Sequence, residues 1–156
     1  MSANVRAISS RVRRGRGSLL VELACGSFFF TLFAVLAVQM GISLFGAFYN
    51  DQACRDAARA AAQGQNITQA TQQAQTVLKT HRVIGGYISS PSLQIPIVYN
   101  DFGGNPPVAT SPYVQLTTKT TMTMPFGPLA FFNAGTLQDG KMVFTQTYTF
   151  PIVRTQ

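Results

Sequence analysis

Residues 23–49 contain no charged side chain, and that stretch limits what the chain can fold into more than any other feature. As a helix, 27 residues rise about 40 Å at 1.5 Å each, which exceeds the ~30 Å hydrocarbon core of a bilayer. Gln39 is its only strongly polar interior residue, and Phe28, Phe29, Phe30, Phe33, Phe45 and Phe48 make it unusually aromatic. The stretch reads as a membrane span. A chain of 156 residues then has room for one such segment and one small domain. Arg11, Arg13, Arg14 and Arg16 precede the span and hold that end in the cytoplasm by the positive-inside rule. Downstream, Asp51, Arg55, Asp56 and Arg59 nearly cancel, so the C-terminal part is expected on the far side of the lipid bilayer.

The formal charge of +7 invites a nucleic-acid reading, but its distribution argues against one. Arg6, Arg11, Arg13, Arg14 and Arg16 come before any acidic residue, and from Gly17 onward seven basic residues face five acidic ones, a net of +2. Nucleic-acid binders spread Lys and Arg along a groove or helix face. Here the basic residues form a short tail against an apolar run, and no nucleic-acid partner is expected. Residues 1–16 lack apolar periodicity and read as a disordered leader. Cys25 and Cys54 would be about 43 Å apart on one helix, too far for an intrachain disulfide. Both read as small packing residues, with an intermolecular bridge through Cys54 left open in an oxidising compartment.

Beyond the span, Ala53, Ala57, Ala58, Ala60, Ala61 and Ala62 favour continuation of the same helix. An Asp51–Arg55 pair at i, i+4 adds a few tenths of a kcal/mol at most. Gly64 is the expected stop, and Asn66 or Thr68 the cap of a second helix over residues 67–80. That helix puts Ile67, Ala70, Ala74, Val77 and Leu78 on one thin apolar stripe. Gly85 and Gly86 close the helical region. Residues 93–99 include Pro96 and read as an edge strand, and residues 101–112 as a loop. Residues 113–124 alternate, with Val114, Leu116, Met122 and Met124 on one parity. Residues 125–140 read as a loop and 141–150 as a last strand with Met142, Phe144, Tyr148 and Phe150 on one face. The expected fold class is α+β, with a long N-terminal helix, a second helix and a small antiparallel three-stranded sheet.

Enzymatic signatures are missing. His81 is the sole histidine and, beside Arg82 at a helix end, reads as a surface residue or cap. Glu22, Asp51, Asp56, Asp101 and Asp139 are scattered, and none is paired for acid–base work. Gly103-Gly104 sits in a Pro-rich loop with no helix after it, so it is not a phosphate cradle. The Asn66-Ile67-Thr68 triplet fits a glycosylation acceptor, a pattern that arises often by chance. No enzyme activity, metal or cofactor is expected, and a structural or assembly role is favoured by elimination.

The most informative segment is Arg13-Arg14-Gly15-Arg16-Gly17-Ser18-Leu19-Leu20-Val21-Glu22-Leu23. A lone ionised Glu in hydrocarbon costs some ~3 kcal/mol on insertion scales, so Glu22 needs compensation. It could lie at headgroup level and reach water or an upstream arginine. Alternatively, cleavage after Gly17 creates an α-amino group on Ser18 that pairs with Glu22 of a neighbouring subunit, a contact much stronger in low dielectric than at a surface.

That segment resembles the type IV prepilin processing site, with glycine before the scissile bond and glutamate at the fifth mature position. Together with Asp51-Gln52-Ala53-Cys54-Arg55-Asp56-Ala57-Ala58-Arg59-Ala60-Ala61-Ala62 and, more weakly, Pro125-Phe126-Gly127-Pro128-Leu129, it is similar to the TadE-like (TadE/TadG) pseudopilins of tight-adherence, or Flp (type IVc), pilus systems. The chain departs from the family pattern at Leu23, where an aromatic residue is usual. The resemblance implies a pilin-like fold and a leader of residues 1–17 removed by a membrane prepilin peptidase. It also implies a transmembrane helix with an extramembrane extension over 18–64, and an exported domain over 65–156. Gly17 and Ser18 would then be the processing site and Glu22 the subunit-assembly contact. Its implied partners are other pilin or pseudopilin subunits and an inner-membrane assembly platform, and its implied role is that of a minor component, retained in the inner membrane or incorporated in the pilus.

Other processing routes fit less well. Signal-peptidase cleavage near Val35-Leu36-Ala37 leaves apolar residues through Tyr49 at the new terminus, and Glu22 interrupts the start of the apolar region. A lipoprotein site at Leu23-Ala24-Cys25 has Glu22 where an apolar residue is wanted. Two other functions compete: a membrane-anchored periplasmic or cell-surface binding module unrelated to pili, and a type II secretion pseudopilin, whose mature chain usually begins with an aromatic residue.

Overall fold

The computed structural model describes residues 4–82, 85–105, 107, 109–124, 137–138 and 141–152, with side chains described from residue 17 onward except at 137–138. The chain divides into two compact units, Met1–Met40 and Gly41–Gln156. Helix α1 spans Asn4–Ala61. The first unit contributes only its N-terminal portion, and the second contains the remainder with α2 (Ile67–Thr80) and strands β1 (Ser92–Asn100), β2 (Tyr113–Thr123), β3 (Leu137–Gln138) and β4 (Lys141–Pro151).

In the first unit α1 begins at Asn4, so residues 4–16 are helical, not the disordered leader that composition suggested. Extending an existing helix avoids the cost of nucleation, and this stretch has no proline and several arginines, which are good helix formers. Further along, Ser27 Oγ donates to the Ala24 carbonyl at 2.9 Å and Thr31 Oγ1 to the Ser27 carbonyl at 2.9 Å. These hydroxyls are satisfied within the helix itself, which removes their cost in an apolar medium.

The second unit has the expected α+β architecture. Its antiparallel sheet is ordered β1-β2-β4-β3. The three long strands match those expected, and β3 adds a two-residue strand within the stretch read as loop, pairing Leu137 with Met142. Residues 125–136, including the Pro125–Leu129 segment, lie outside the described residues. β1 is an edge strand, and its register with β2 shifts between Gln94 and Val98, around Pro96, which has no N–H to donate.

Alternation along β2 buries Val114, Leu116, Thr118, Thr120 and Met122 in turn. Their β4 partners on the same face are Phe150, Tyr148, Gln146, Phe144 and Met142. Ala53, Cys54, Ala57, Ala58 and Ala61 of α1 and Ala70, Ala74 and Leu78 of α2 complete the core on this face. Ile67, expected on the buried stripe, is about half exposed at the start of α2. The opposite face is polar: Thr117 and Thr147 share a 2.8 Å hydrogen bond, and Gln115 Nε2 donates to Thr149 Oγ1 at 3.1 Å.

The turn between the helices is tight because the first turn of α2 packs directly against Gly64. Asn66 caps α2, its side-chain oxygen accepting from the Gln69 N–H at 2.9 Å. Gly64 is buried, and a Cβ there would lie 2.6 Å from the Ala70 nitrogen. Its carbonyl accepts from Tyr99 Oη at 2.8 Å. Gly64→Ala is therefore expected to destabilise the second unit by about 1–3 kcal/mol, the usual cost of forcing an atom into a filled site. Chemical unfolding of the full chain in detergent measures it, and an unchanged midpoint would contradict the contact.

Candidate functional site

On the first unit, Gly17, Ser18 and Glu22 lie exposed on α1. The side chains of Arg11, Arg13, Arg14 and Arg16 are outside those described. Glu22 shares a shallow recess with Leu19, Leu23, Gly26, Ser27 and Phe30, which follow one another at helical spacing along a single stripe. Gly26 and Ser27 lower the wall beside the carboxylate, while Leu19, Leu20, Val21, Leu23, Phe28, Phe30 and Phe33 all project outward. The helix thus presents one acidic group on an otherwise apolar surface. By length and composition, the segment Gly17–Ala61 is apolar enough to cross a membrane.

In the second unit the dominant local feature is the seam between α1 and the sheet. Asn50 is 1% exposed. Its Oδ1 accepts from Thr120 Oγ1 at 2.8 Å and Thr118 Oγ1 at 3.1 Å, and its Nδ2 donates to the Phe144 carbonyl at 3.3 Å. One turn earlier, a Cβ on Gly46 would meet the Phe144 ring at 3.1 Å. One turn later, the Cys54 thiol donates to the Gln146 carbonyl at 3.3 Å. Small residues at these turns let the helix backbone approach the strands. The alanine-rich run is therefore a packing surface as well as a helix former.

Cys54 lies beyond the charge-free stretch and is fully buried without a disulfide partner. Desolvation by burial pushes its thiol above the ordinary range, against hydrogen bonds from Thr118 that lower it. A folded-state pKa raised in this way leaves the thiol neutral. Its contribution to stability is full below the ordinary thiol pKa and falls as pH rises through the folded value. An intermolecular bridge through Cys54 would require the helix–sheet seam to open.

His81, read from the sequence as a surface residue or cap, is the C-cap of α2, and its backbone N–H donates to the Leu78 carbonyl. Its ring lies edge-on to Tyr49 at 5.5 Å, and Nε2 is 3.6 Å from Asp56 Oδ2. Tyr49 Oη donates to the Arg82 carbonyl at 2.8 Å. Beside this junction, Gln75, Leu78, Lys79, His81, Arg82, Ser90, Pro91 and Leu93 enclose a groove of about 660 Å³. The expected Asp51–Arg55 pair is formed at 2.9 Å, and Arg55 and Arg59 lie over the Tyr148 and Phe150 rings. Lys79 and Arg82 have no carboxylate within ion-pair distance among the described residues. Sequence reasoning missed both the Asn50 seam and the groove. The available signal for the seam was two threonines, Thr118 and Thr120, on the apolar parity of β2. For the groove it was two cations close together at the end of a helix.

Among the described residues, no group of three or more His, Cys, Asp or Glu side chains is arranged to hold a metal ion. No family model matches the chain, and no curated protein or solved structure matches it either.

The burial of Cys54 gives a direct check. In the full chain with Cys25→Ser, a maleimide should label Cys54 only after denaturation. Rapid labelling of the native protein would contradict the packed seam.

Proposed function

We propose that the chain is a membrane-anchored minor pilin or pseudopilin of a tight-adherence pilus assembly system, of the kind the TadE-like family supplies. The observation that carries this reading is Glu22, a single exposed carboxylate on an apolar helix surface, five residues after Gly17. An isolated charge at such a position is costly unless something pairs with it. A membrane prepilin peptidase acting after Gly17 supplies that partner by freeing the α-amino group of Ser18. The Ser18 ammonium of one subunit then pairs with Glu22 of the next, and the recess at Gly26 and Ser27 admits the neighbouring helix.

The same cleavage removes Arg6, Arg11, Arg13, Arg14 and Arg16 and leaves a mature chain of net charge +2. Before cleavage those arginines hold the N-terminus in the cytoplasm at the inner membrane, and the α+β unit is delivered to the periplasmic side. There it takes part in assembly with other pilin subunits on an inner-membrane platform. The work is done through helix–helix contact, without a cofactor.

Mass spectrometry of the membrane-extracted protein tests this. The N-terminal peptide should begin at Ser18 in cells with an active prepilin peptidase. An intact leader in those cells would contradict the proposal.

A further inference from the structure

Lys79 and Arg82 raise a question that the pseudopilin reading does not answer. They line one groove together with the apolar Leu78, Pro91 and Leu93 and with Ser90 and His81. Basic residues near a helix C-terminus often serve only to balance the helix dipole. Here, however, the Leu78 carbonyl is already satisfied by the His81 N–H, and neither cation meets a carboxylate among the described residues. The complement of such a surface is an anion that carries an apolar portion.

The position of the groove says which anion. Its wall is fastened to Tyr49 twice, by the Tyr49 Oη bond to the Arg82 carbonyl and by the His81 ring. Tyr49 lies two residues before Asp51, the first charged residue after Glu22. Counted from Leu23, about 20 helical residues fill the hydrocarbon layer, so that layer ends near Ile42. Tyr49 lies seven residues further on, a rise of about 10 Å, and a helical side chain leans back toward the N-terminus, which brings its ring toward the headgroup layer of about 5–7 Å. Tyrosine is enriched at that depth. On the same part of α1, Leu44, Phe45 and Phe48 remain exposed, an apolar face suited to contact with lipid.

We infer that this groove binds the headgroup of an anionic phospholipid, with Lys79 and Arg82 on the phosphate region and Leu78, Pro91 and Leu93 against the adjoining apolar part. The inference depends on the membrane anchor in the proposed function but not on pilus assembly. It gives the second unit a fixed height on the membrane, which a helix tether alone does not.

The test uses the full chain reconstituted in vesicles of equal phosphatidylcholine and phosphatidylglycerol. After mild detergent extraction, retained lipid is counted by native mass spectrometry. The wild type should retain phosphatidylglycerol over phosphatidylcholine by on the order of tenfold, the scale two basic side chains contribute at an anionic surface. Lys79→Gln with Arg82→Gln should abolish that preference, while Lys119→Gln, on the opposite sheet face, should keep it. An embedded wild-type chain without preference, or a double variant that retains it, overturns the lipid assignment. Loss of the preference in millimolar inorganic phosphate would assign the groove to free anions and overturn it too. A chain stripped from the vesicles by alkaline carbonate would contradict the membrane anchor itself.

Discussion

Asn50 stands directly before Asp51, the first charged residue after Glu22, and its amide is buried between α1 and the sheet. Its oxygen collects both threonine hydroxyls of β2, and its nitrogen reaches the Phe144 carbonyl of β4. One side chain therefore joins the helix to the two central strands. Each such bond contributes about 1 kcal/mol net, but removing the amide would strand buried hydroxyls at a cost of about 1–3 kcal/mol apiece. The network also fixes register. A slide of one helical turn would place Gly46 or Cys54 opposite Thr118 and Thr120 and take away the amide oxygen to which both hydroxyls donate. Gly46, Ala53, Cys54 and Ala57 answer to the same constraint, since larger side chains would hold the amide out of reach.

This seam changes what the apolar stretch means. Read as sequence, residues 23–49 are uniform. In the structure Ile42 and Tyr49 pack with Ile88, Met122 and Phe144 of the second unit, while Leu44, Phe45 and Phe48 face outward. The last two turns of the stretch are thus asymmetric, one side committed to the sheet. In the proposed arrangement the fully exposed part, with Glu22 near its start, mediates helix assembly. The asymmetric part marks the passage from lipid to domain.

Much of the fold was legible because periodicity is a local signal. The alternation of Val114, Leu116 and Met122, the edge position forced by Pro96, and the Asn66 cap of α2 are all set by nearest neighbours in the chain. What was not legible depends on contacts between distant segments. Thr118 and Thr120 interrupt the apolar parity of β2, and their place there has no reason until Asn50, some seventy positions earlier, is placed above them. Gly64 reads as a helix stop, but its requirement for glycine comes from the Ala70 backbone. Residues 4–16 differ for another reason: their composition signals disorder, yet they continue a helix already formed. Glu22 is conspicuous in sequence as a charge without a partner, whereas the groove at Lys79 and Arg82 exists only once α2 and β1 are brought together.

The most direct test of the seam is a double-mutant cycle between Asn50→Ala and Thr120→Val, read by reversible chemical unfolding of the full chain in detergent. If the buried amide and hydroxyl hold helix and sheet together, the two effects should be non-additive by about 1 kcal/mol, with the valine costing less once the amide is gone. Additive effects would contradict the view that the domain is organised around Asn50.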